Sequence, residues 1–492
     1  MNQHRPASFS SLSNAPALLG AAAILAAVLL YAWPLSHAVL MQDDFQILAQ
    51  SWTWQKTLNG LLAPNNEHVM PLSRLLVFVV VQLAGRTTAL PFFGVLTGVV
   101  GLILAMVLTH LFVRRELGHA IYGLFAMILF GVSAVYQQAV YWFAASFSVY
   151  ALVTMLLALL AAQHYRHNRQ WGWLSACIAG CALAPCWFAS GVLAGPFCCL
   201  YLLPTEGEDR RRGLIGWLLR LTPLLGTAVF LGVVWLTAFS TIQHLYHYQV
   251  DNTTALEAFK PLTGAWFTVR SVVDNLGLGL FGITDVTVGP IFAAPLILLL
   301  FAAGAWWAWR SPQRRLALLG AGLIFGSYLL IYSGRAAWGY DEVRMYTPTW
   351  SRYHLQPQLG LVLLLCGGLP AWEGRWFRLD ATGPLTRGQT WALAVLLGVS
   401  FLIQAPRGAL CYYRANLPQA ETLRRLDRVS TFCQEHHISA DAATQILRGE
   451  LGKLDMEHES ATHEDGWEFV YGSDHPSELS EQERNDLVAA AR

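Results

Sequence analysis

Long apolar runs separated by short polar segments make up most of the chain. Runs of about 20 residues, enough to cross the hydrocarbon core of a bilayer as a helix, recur from Ala15 to about residue 405. If the chain crosses about eleven times with its N-terminus inside, every arginine-rich interruption falls on the cytoplasmic face. The pattern therefore predicts an all-α polytopic membrane protein with about eleven transmembrane helices. The arginine-rich interruptions are 114–115, 166–169, 210–212, 310–315 and 375–387.

Two apolar segments depart from a simple span. The stretch from Trp171 to Leu203 is too long for one crossing and contains Pro185 and Gly191, which predicts a tight hairpin of two spans. The stretch from Leu75 to Ala84 is too short to cross the bilayer, and it predicts a helix beside the membrane.

The first apolar run, Ala15 to Leu40, sets the topology. A cleaved signal peptide is the alternative, because residues 36–38 resemble a small-x-small cleavage site. The run is longer than the apolar region of such peptides, which favours an uncleaved anchor. The anchor leaves the N-terminus in the cytoplasm and the C-terminus in the periplasm, so we expect a multi-pass protein of the bacterial inner membrane.

The same topology predicts two domains. Residues 1–405 form a transmembrane domain with three outer loops. Residues 406–492 are rich in charge and contain no span, which predicts a soluble, partly disordered region on the outer face. Cys411 and Cys433 lie in this region. A disulfide between them and two free thiols are the two alternatives. The outer loops are 41–89, 241–288 and 333–354.

Composition supports this class and narrows the function. Of 492 residues, 55% are hydrophobic and 13% are charged, against about 25% charged in soluble domains. The net charge of +1 and the lack of a basic patch in the sequence give no indication of nucleic-acid binding. The remaining cysteines lie in apolar runs without metal-ligand spacing, which indicates small buried apolar residues. They are Cys177, Cys181, Cys186, Cys198, Cys199 and Cys366.

Two adjacent carboxylates, Asp43 and Asp44, follow the first span. A helix N-cap is the structural alternative, but it accounts for only one of them. Ionisable groups at a membrane exit are typically functional. One carboxylate can act as a general base while the other orients it, binds a metal or caps a helix. The following stretch from Phe45 to Leu62 predicts a helix in the membrane interface, with Trp52 and Trp54 at headgroup level.

A polar segment closes the first outer loop. Glu67 and His68 precede Pro71, which is typical of the first turn of a helix, and that helix carries Arg74. His68 and Arg74 can both face the headgroup region. The alternative is a polar loop from which the arginine reaches to water.

The late outer loop 335–354 contains three arginines, among them Arg344 and Arg352, against the usual bias of arginine toward the cytoplasmic face. An anionic ligand such as a lipid phosphate accounts for them, because guanidinium groups bind phosphate oxygens in pairs. Ion pairing with Asp341 and Glu342 is the alternative.

Together these segments resemble the GT-C superfamily of membrane glycosyltransferases, which use polyprenyl-phosphate-linked sugars. The protein mannosyltransferases and the lipid A aminoarabinose transferase are examples. The resemblance covers roughly residues 15–405 and includes the span count; the C-terminal region is unmatched. The residues that carry it are Asp43-Asp44-Phe45 after the first span, His68, Pro71-Leu72 and Arg74 after the interfacial stretch, and Ser351-Arg352-Tyr353 before a late span.

The resemblance implies an inverting transfer of one sugar from polyprenyl phosphate to an envelope glycan, lipid or protein. It implies that Asp43 deprotonates the acceptor hydroxyl and that Asp44 assists. Some relatives require a divalent metal and others do not, so the cofactor stays unknown and no metal ligand is assigned. The residues implied to hold the donor phosphate or another part of the substrates are His68, Arg74, Arg344, Arg352 and Tyr353.

Two other functions stay open at this point. An O-antigen polymerase or ligase also has arginines on the outer face, but its functional loop lies late in the chain. A non-catalytic transporter of lipid-linked glycans would carry charges within its spans, and the spans here contain almost none. The transferase predicts that Asp43, Arg74 and Arg352 converge on one outward cavity.

Overall fold

The computed structural model describes most of the apolar part of the chain. Asp43, Glu67, Arg344, Cys411 and Cys433 lie outside the described residues, so the predictions made for them stay predictions. The described residues are 14–38, 40, 44, 47–48, 50–65, 68–84, 89–203, 213–249, 260–277, 299, 302–306, 310, 313–335, 351–370, 385–406, 435, 482, 485–486 and 489.

The all-α membrane class is confirmed. Within the described residues, four helices are long and apolar enough to cross a bilayer, and six shorter apolar helices accompany them. The only strands in that part of the chain are β1 (Pro64–Asn65) and β2 (His68–Val69), which pair antiparallel. The count of eleven spans stays a prediction. The four long helices are Leu90–Leu117, Phe143–Asn168, Arg314–Gly334 and Arg387–Pro406.

The N-terminal apolar run is broken rather than continuous. Helix α1 (Ala15–Leu30) ends at Tyr31, whose backbone leaves the helical region (φ −105°, ψ 8°), and α2 (Ala32–Ser36) follows. The Tyr31 ring is buried in the same core as α1. The predicted span from Ala15 to Leu40 is therefore two helical pieces joined at a buried tyrosine.

The interfacial stretch of the first outer loop also differs from the single helix that the sequence predicts. Helix α3 covers only Trp54–Asn59. Thr53 is its N-cap, and the Thr53 hydroxyl accepts a hydrogen bond from the Lys56 N–H at 3.1 Å. Ile47 is buried, whereas Leu58 in α3 is exposed. The apolar residues of this stretch thus face different surroundings because a capped turn separates them.

A continuous series of helices follows this loop. Helix α4 begins at Pro71, as predicted, and with 14 residues it is too short to cross a bilayer. Helix α5 crosses toward the cytoplasmic face by the predicted topology, and α8 packs along its length. The elements are α4 (Pro71–Ala84), α5 (Leu90–Leu117), α6 (Ala120–Gly131), α7 (Gln138–Tyr141) and α8 (Phe143–Asn168).

A hairpin is present between residues 171 and 203, as predicted, but its two helices have 13 and 9 residues and are shorter than the two spans that the sequence predicts. Helix α9 (Trp171–Leu183) and helix α10 (Ala194–Leu202) are joined by two 3-10 turns, Ala184–Cys186 and Ala189–Leu193. At one end of the hairpin, Trp173 stacks on His164 and the Tyr201 hydroxyl bonds Glu116, so both arms return to the same face. The turns form its apex at the opposite face.

A buried polar group fastens the end of this region that lies opposite the hairpin apex. The Glu116 carboxylate accepts hydrogen bonds from Gln163 Nε2 and Arg166 Nη1, each at 2.9 Å, and from the Tyr201 hydroxyl. Gln163 and Arg166 lie on α8, and Tyr201 lies on α10. One carboxylate on α5 therefore ties three helices together.

The remaining described helices complete the bundle. The predicted outer loop 241–288 is only partly a loop, because one helix extends into it and another lies within it. The last helix matches the span predicted at 389–405. These helices are α11 (Gly213–Leu221), α12 (Pro223–Gln249), α13 (Pro261–Ser271), α14 (Arg314–Arg335), α15 (Leu355–Gly368) and α16 (Arg387–Pro406).

Two glycines bring α14 and α15 into backbone contact. A methyl group on Gly320 would lie 2.7 Å from the backbone nitrogen of Leu364, and one on Gly360 would lie 2.6 Å from the carbonyl oxygen of Gly320. Small residues at such crossings allow close helix packing in a membrane. The crossing fixes α15, whose first turn follows the Ser351–His354 3-10 turn.

Candidate active site

Asp44 lies at the N-terminus of the long helix α8. Its side chain is fully buried, and its Oδ1 accepts a hydrogen bond from the Ala144 N–H at 2.7 Å. The first N–H groups of a helix have no partner within the helix, and the helix dipole favours an anion there. Asp44 therefore caps a helix 100 residues later in the chain.

Arg352 lies at the same helix end. Its guanidinium carbon is 4.4 Å from the centre of the Trp142 ring, and Trp142 is the residue that precedes α8. The neighbouring Ser351 is fixed as well, because its hydroxyl accepts a hydrogen bond from the Gln138 N–H at 2.9 Å. An acid from the first outer loop and an arginine from the last one thus contact residues within one turn of each other.

A small cavity of about 40 Å³ lies between these segments. Arg352 and Tyr353 form one wall, and the first turns of α8 form another. The hairpin apex supplies Phe188 and Ser190, which explains why the chain breaks into 3-10 turns here instead of continuing as a helix. The described lining is Ala145, Ser148, Phe188, Ser190, Ser327, Leu330, Ile331, Arg352, Tyr353, Leu355 and Gln356.

The polar floor of the cavity is organised by Gln356. Its Oε1 accepts a hydrogen bond from the Ser327 hydroxyl at 3.1 Å, and its Nε2 donates to the Ser190 carbonyl at 3.3 Å. The amide thereby links α15 to α14 and to the hairpin apex. Tyr328 on α14 bonds His354 Nδ1 at 3.1 Å directly beneath.

His68 reaches the same region through the hairpin apex. The residue lies in β2, and its ring packs against Phe188 with the ring centres 4.5 Å apart. The Ser73 hydroxyl also donates to the Trp187 carbonyl, at 2.6 Å. Two segments of the first outer loop are therefore attached to the apex that lines the cavity.

Arg74 is buried beneath the first outer loop. It is only 1% exposed, and its Nη2 donates to the Ala63 carbonyl at 3.0 Å. The Nη1 atom lies beside Gly60, where a methyl group would be 3.3 Å away. Burial lowers the pKa of Arg74 to about 10, so it stays protonated at neutral pH. The guanidinium group, which belongs to α4, therefore holds the loop around Ala63 against that helix.

The structure thus brings Asp44, His68, Arg352 and Tyr353 to one neighbourhood, and it places Arg74 under the adjoining loop. Sequence reasoning missed the residues that complete the cavity. A polar glutamine within the apolar span from residue 355 was a usable signal, because such residues seldom face lipid. Trp142 carried no signal that separates it from an ordinary interfacial tryptophan. The missed residues are Trp142, Ser148, Phe188, Ser190, Ser327 and Gln356.

Three of the buried cysteines lie closer together than their spacing in the sequence indicates. The sequence shows no metal-ligand spacing, yet the sulfur atoms of Cys177, Cys181 and Cys198 all lie within 4.8 Å of one another. Residues 177 and 181 are one turn apart on α9, and the hairpin brings α10 alongside. The three thiols are fully buried within the apolar core, as expected for small apolar residues.

Comparison with known proteins gives a likeness at the level of overall shape. No protein-family model and no curated protein matches the chain. Among solved structures, the chain is similar to the Archaeoglobus fulgidus oligosaccharyltransferase AglB in complex with an inhibitory peptide and a dolichol-phosphate, at 13% identity and a TM-score of 0.46. It is also similar to the apo form of an oligosaccharyltransferase from the same organism, at 10% identity and a TM-score of 0.44.

The likeness covers a larger share of this chain than of either solved chain. The comparisons cover 97% of this chain but only 63% and 64% of the solved chains. At these identities and TM-scores the likeness does not assign a family. The functional argument therefore depends on the residues of this chain.

Proposed function

We propose that the chain is an inverting membrane glycosyltransferase of the GT-C type. It moves one sugar from a polyprenyl-phosphate donor to a glycan, lipid or protein acceptor on the outer face of the bacterial inner membrane. The observation that carries the proposal is the meeting of Asp44 and Arg352 at the N-terminus of α8. In this proposal Asp43, next to Asp44 in the sequence, supplies the base, and Arg352 supplies a cation in the wall of the cavity.

The two carboxylates have different roles in this proposal. Asp44 is held by the Ala144 N–H, and we infer that its role is to position Asp43, the residue before it. Asp43 then removes the proton from the acceptor hydroxyl as the hydroxyl oxygen attacks the anomeric carbon. The bond from the anomeric carbon to the phosphate oxygen breaks in the same step, and configuration inverts. Polyprenyl phosphate leaves with the bonding electron pair.

The leaving phosphate needs positive charge more than it needs a proton. Arg352 is held over Trp142, which orients its guanidinium toward the cavity wall. Tyr353 and Arg344 complete the proposed donor site, and His68 packs against Phe188 at its edge. Donors placed where charge develops typically supply a large part of the rate enhancement.

Arg74 enters the proposal with a changed role. Its burial and its bond to the Ala63 carbonyl support a positioning role for the first outer loop. The loop carries the acidic pair at one end and His68 at the other. Holding the loop is therefore the way in which this arginine supports transfer.

Binding of the lipid product tests the donor site without knowledge of the sugar. Purified protein in detergent is titrated with polyprenyl phosphate, and binding is followed by native mass spectrometry. Arg352→Ala should weaken binding about 10- to 100-fold, the range for a charge-assisted hydrogen bond. Arg310→Ala is the matched control, because Arg310 also stacks on a tryptophan, Trp306, at 4.1 Å. Equal binding by the Arg352 variant and wild type contradicts the donor site.

Transfer assays separate the proposal from its alternatives. Proteoliposomes are supplied with a panel of polyprenyl-phosphate sugars, and release of polyprenyl phosphate is measured for Asp43→Asn and Arg352→Ala. Loss in both variants supports the transferase. Loss only in the Arg352 variant favours a polymerase or ligase. Translocation of the lipid-linked sugar without any release of polyprenyl phosphate favours a transporter. A parallel series with EDTA determines whether a divalent metal takes part.

A further inference from the structure

A second concave site lies at the other end of α5 and α8. The cavity at Asp44 adjoins Ala144, and the second site adjoins His164, 20 residues further along α8. At 1.5 Å per residue the two are about 30 Å apart, the thickness of the hydrocarbon core. The two sites therefore lie at opposite membrane faces.

The second site is a groove of about 690 Å³ between α5, α8 and the start of α9. This volume lies within the range of about 300–1,000 Å³ that is typical of ligand sites. Its walls are apolar and continue into the lipid-facing surface, since Leu111 is 43% and Leu157 is 50% exposed. The apolar wall residues are Leu108, Leu111, Leu157, Leu160 and Ala161.

The mouth of the groove is cationic. Arg114, Arg115 and His164 line it, and Arg115 Nη1 contacts His164 Nε2. Trp173 stacks on His164 with the ring centres 4.2 Å apart, at the depth where tryptophan commonly meets lipid headgroups. The mouth thus combines positive charge with an interfacial aromatic ring.

The nearest carboxylate does not neutralise this mouth. Glu116 follows directly in the sequence, but its oxygens are used by Gln163, Arg166 and Tyr201 on the other side of α5. Among the described residues, no carboxylate forms a salt bridge with Arg114 or Arg115. Within this part of the chain, the two guanidinium groups thus carry positive charge that no ion pair neutralises.

We propose that this groove binds an anionic phospholipid, with the phosphate headgroup at Arg114 and Arg115 and an acyl chain along the leucines of α5 and α8. Charge complementarity and the apolar walls together select this occupant, because a soluble anion would leave the walls exposed to water. The site does not depend on the proposed glycosyl transfer, and it lies on the face opposite the candidate active site.

Native mass spectrometry of the whole protein in detergent tests the proposal. The probes are phosphatidylglycerol, zwitterionic phosphatidylcholine with the same acyl chains, and glycerol 1-phosphate. Wild type should bind phosphatidylglycerol most tightly. The double variant Arg114→Gln/Arg115→Gln should weaken that binding about 25-fold, at about fivefold for each cation near an anionic lipid. Arg310→Ala is the control and should bind as wild type does.

A second variant tests the apolar wall without a change of charge. Leu157→Trp fills the groove from an exposed position, so folding should be retained and phosphatidylglycerol binding should fall. Equal binding of phosphatidylglycerol by wild type and the double variant overturns the proposal. Phosphatidylcholine that binds as tightly as phosphatidylglycerol overturns it too, because binding would then not depend on the charge of the lipid. Glycerol 1-phosphate that binds as tightly also overturns it, because binding would then not depend on the acyl chain.

Discussion

Removal of the Asp44 carboxylate should destabilise the protein more than removal of an ordinary helix cap. The side chain is fully buried, and its bond to the Ala144 N–H is short, at 2.7 Å. In Asp44→Ala that N–H loses its acceptor inside the protein, which costs about 1–3 kcal/mol. The lost anion at a buried helix N-terminus adds up to about 2 kcal/mol. The free energy of unfolding should therefore fall by about 3 kcal/mol.

Two further variants separate charge from hydrogen bonding. Asp44→Asn keeps an acceptor oxygen and loses only the charge, so its loss should be about 1–2 kcal/mol. Thr53→Ala is the matched control, since Thr53 caps the exposed six-residue helix α3 through the Lys56 N–H. An exposed cap of this kind is worth about 0.5–1 kcal/mol.

Unfolding in mixed micelles titrated with sodium dodecyl sulfate, followed by tryptophan fluorescence, gives the three free-energy differences. The expected order of destabilisation is Asp44→Ala, then Asp44→Asn, then Thr53→Ala. If Asp44→Ala is no less stable than the Thr53 variant, the carboxylate does not fix α8, and the argument that it positions Asp43 fails with it.

Other substitutions test the packing around the site. Glu116→Ala removes the acceptor that the partners on α8 and α10 share, so the free energy of unfolding should fall by about 3–5 kcal/mol in the same assay. A smaller loss would show that these helices are held by packing alone. Gly98→Ala places a methyl group 2.8 Å from the Val140 carbonyl carbon and should cost about 1–3 kcal/mol, whereas Gly232→Ala, with open space around it, should be neutral or stabilising. Arg74→Met should speed tryptic cleavage of the first outer loop about 10- to 100-fold, because the loop loses its bond through Ala63; an unchanged cleavage rate would refute the anchoring role.

Much of the fold follows from the apolar pattern alone. The long helices at 90–117 and 143–168 and the hairpin between 171 and 203 lie where run length and proline placement predict them. Run length is a strong signal because each crossing requires about 20 apolar residues. The break at Tyr31 was missed, although Pro34 was a usable signal, because a proline has no N–H to bond the carbonyl four residues earlier and its ring clashes with that carbonyl.

The candidate site was only partly predictable. Asp44, His68 and Arg352 are recognisable as polar residues at membrane exits, but their proximity depends on how α8 and the hairpin apex are placed. The role of Asp44 as a cap for α8 is a contact across 100 residues, which no local pattern encodes. The burial of Arg74 beneath a loop was likewise not visible in the sequence, because it depends on how residues 60–63 fold over α4.

The proposal depends most directly on the acidic pair as the source of the catalytic base. The decisive measurement is the rate at which proteoliposomes convert a polyprenyl-phosphate sugar to polyprenyl phosphate with Asp43→Asn in place of the wild-type protein. A general base of this kind contributes about 10²- to 10⁴-fold, so we expect the rate to fall by that factor while product binding is kept. A rate equal to that of wild type would contradict the account.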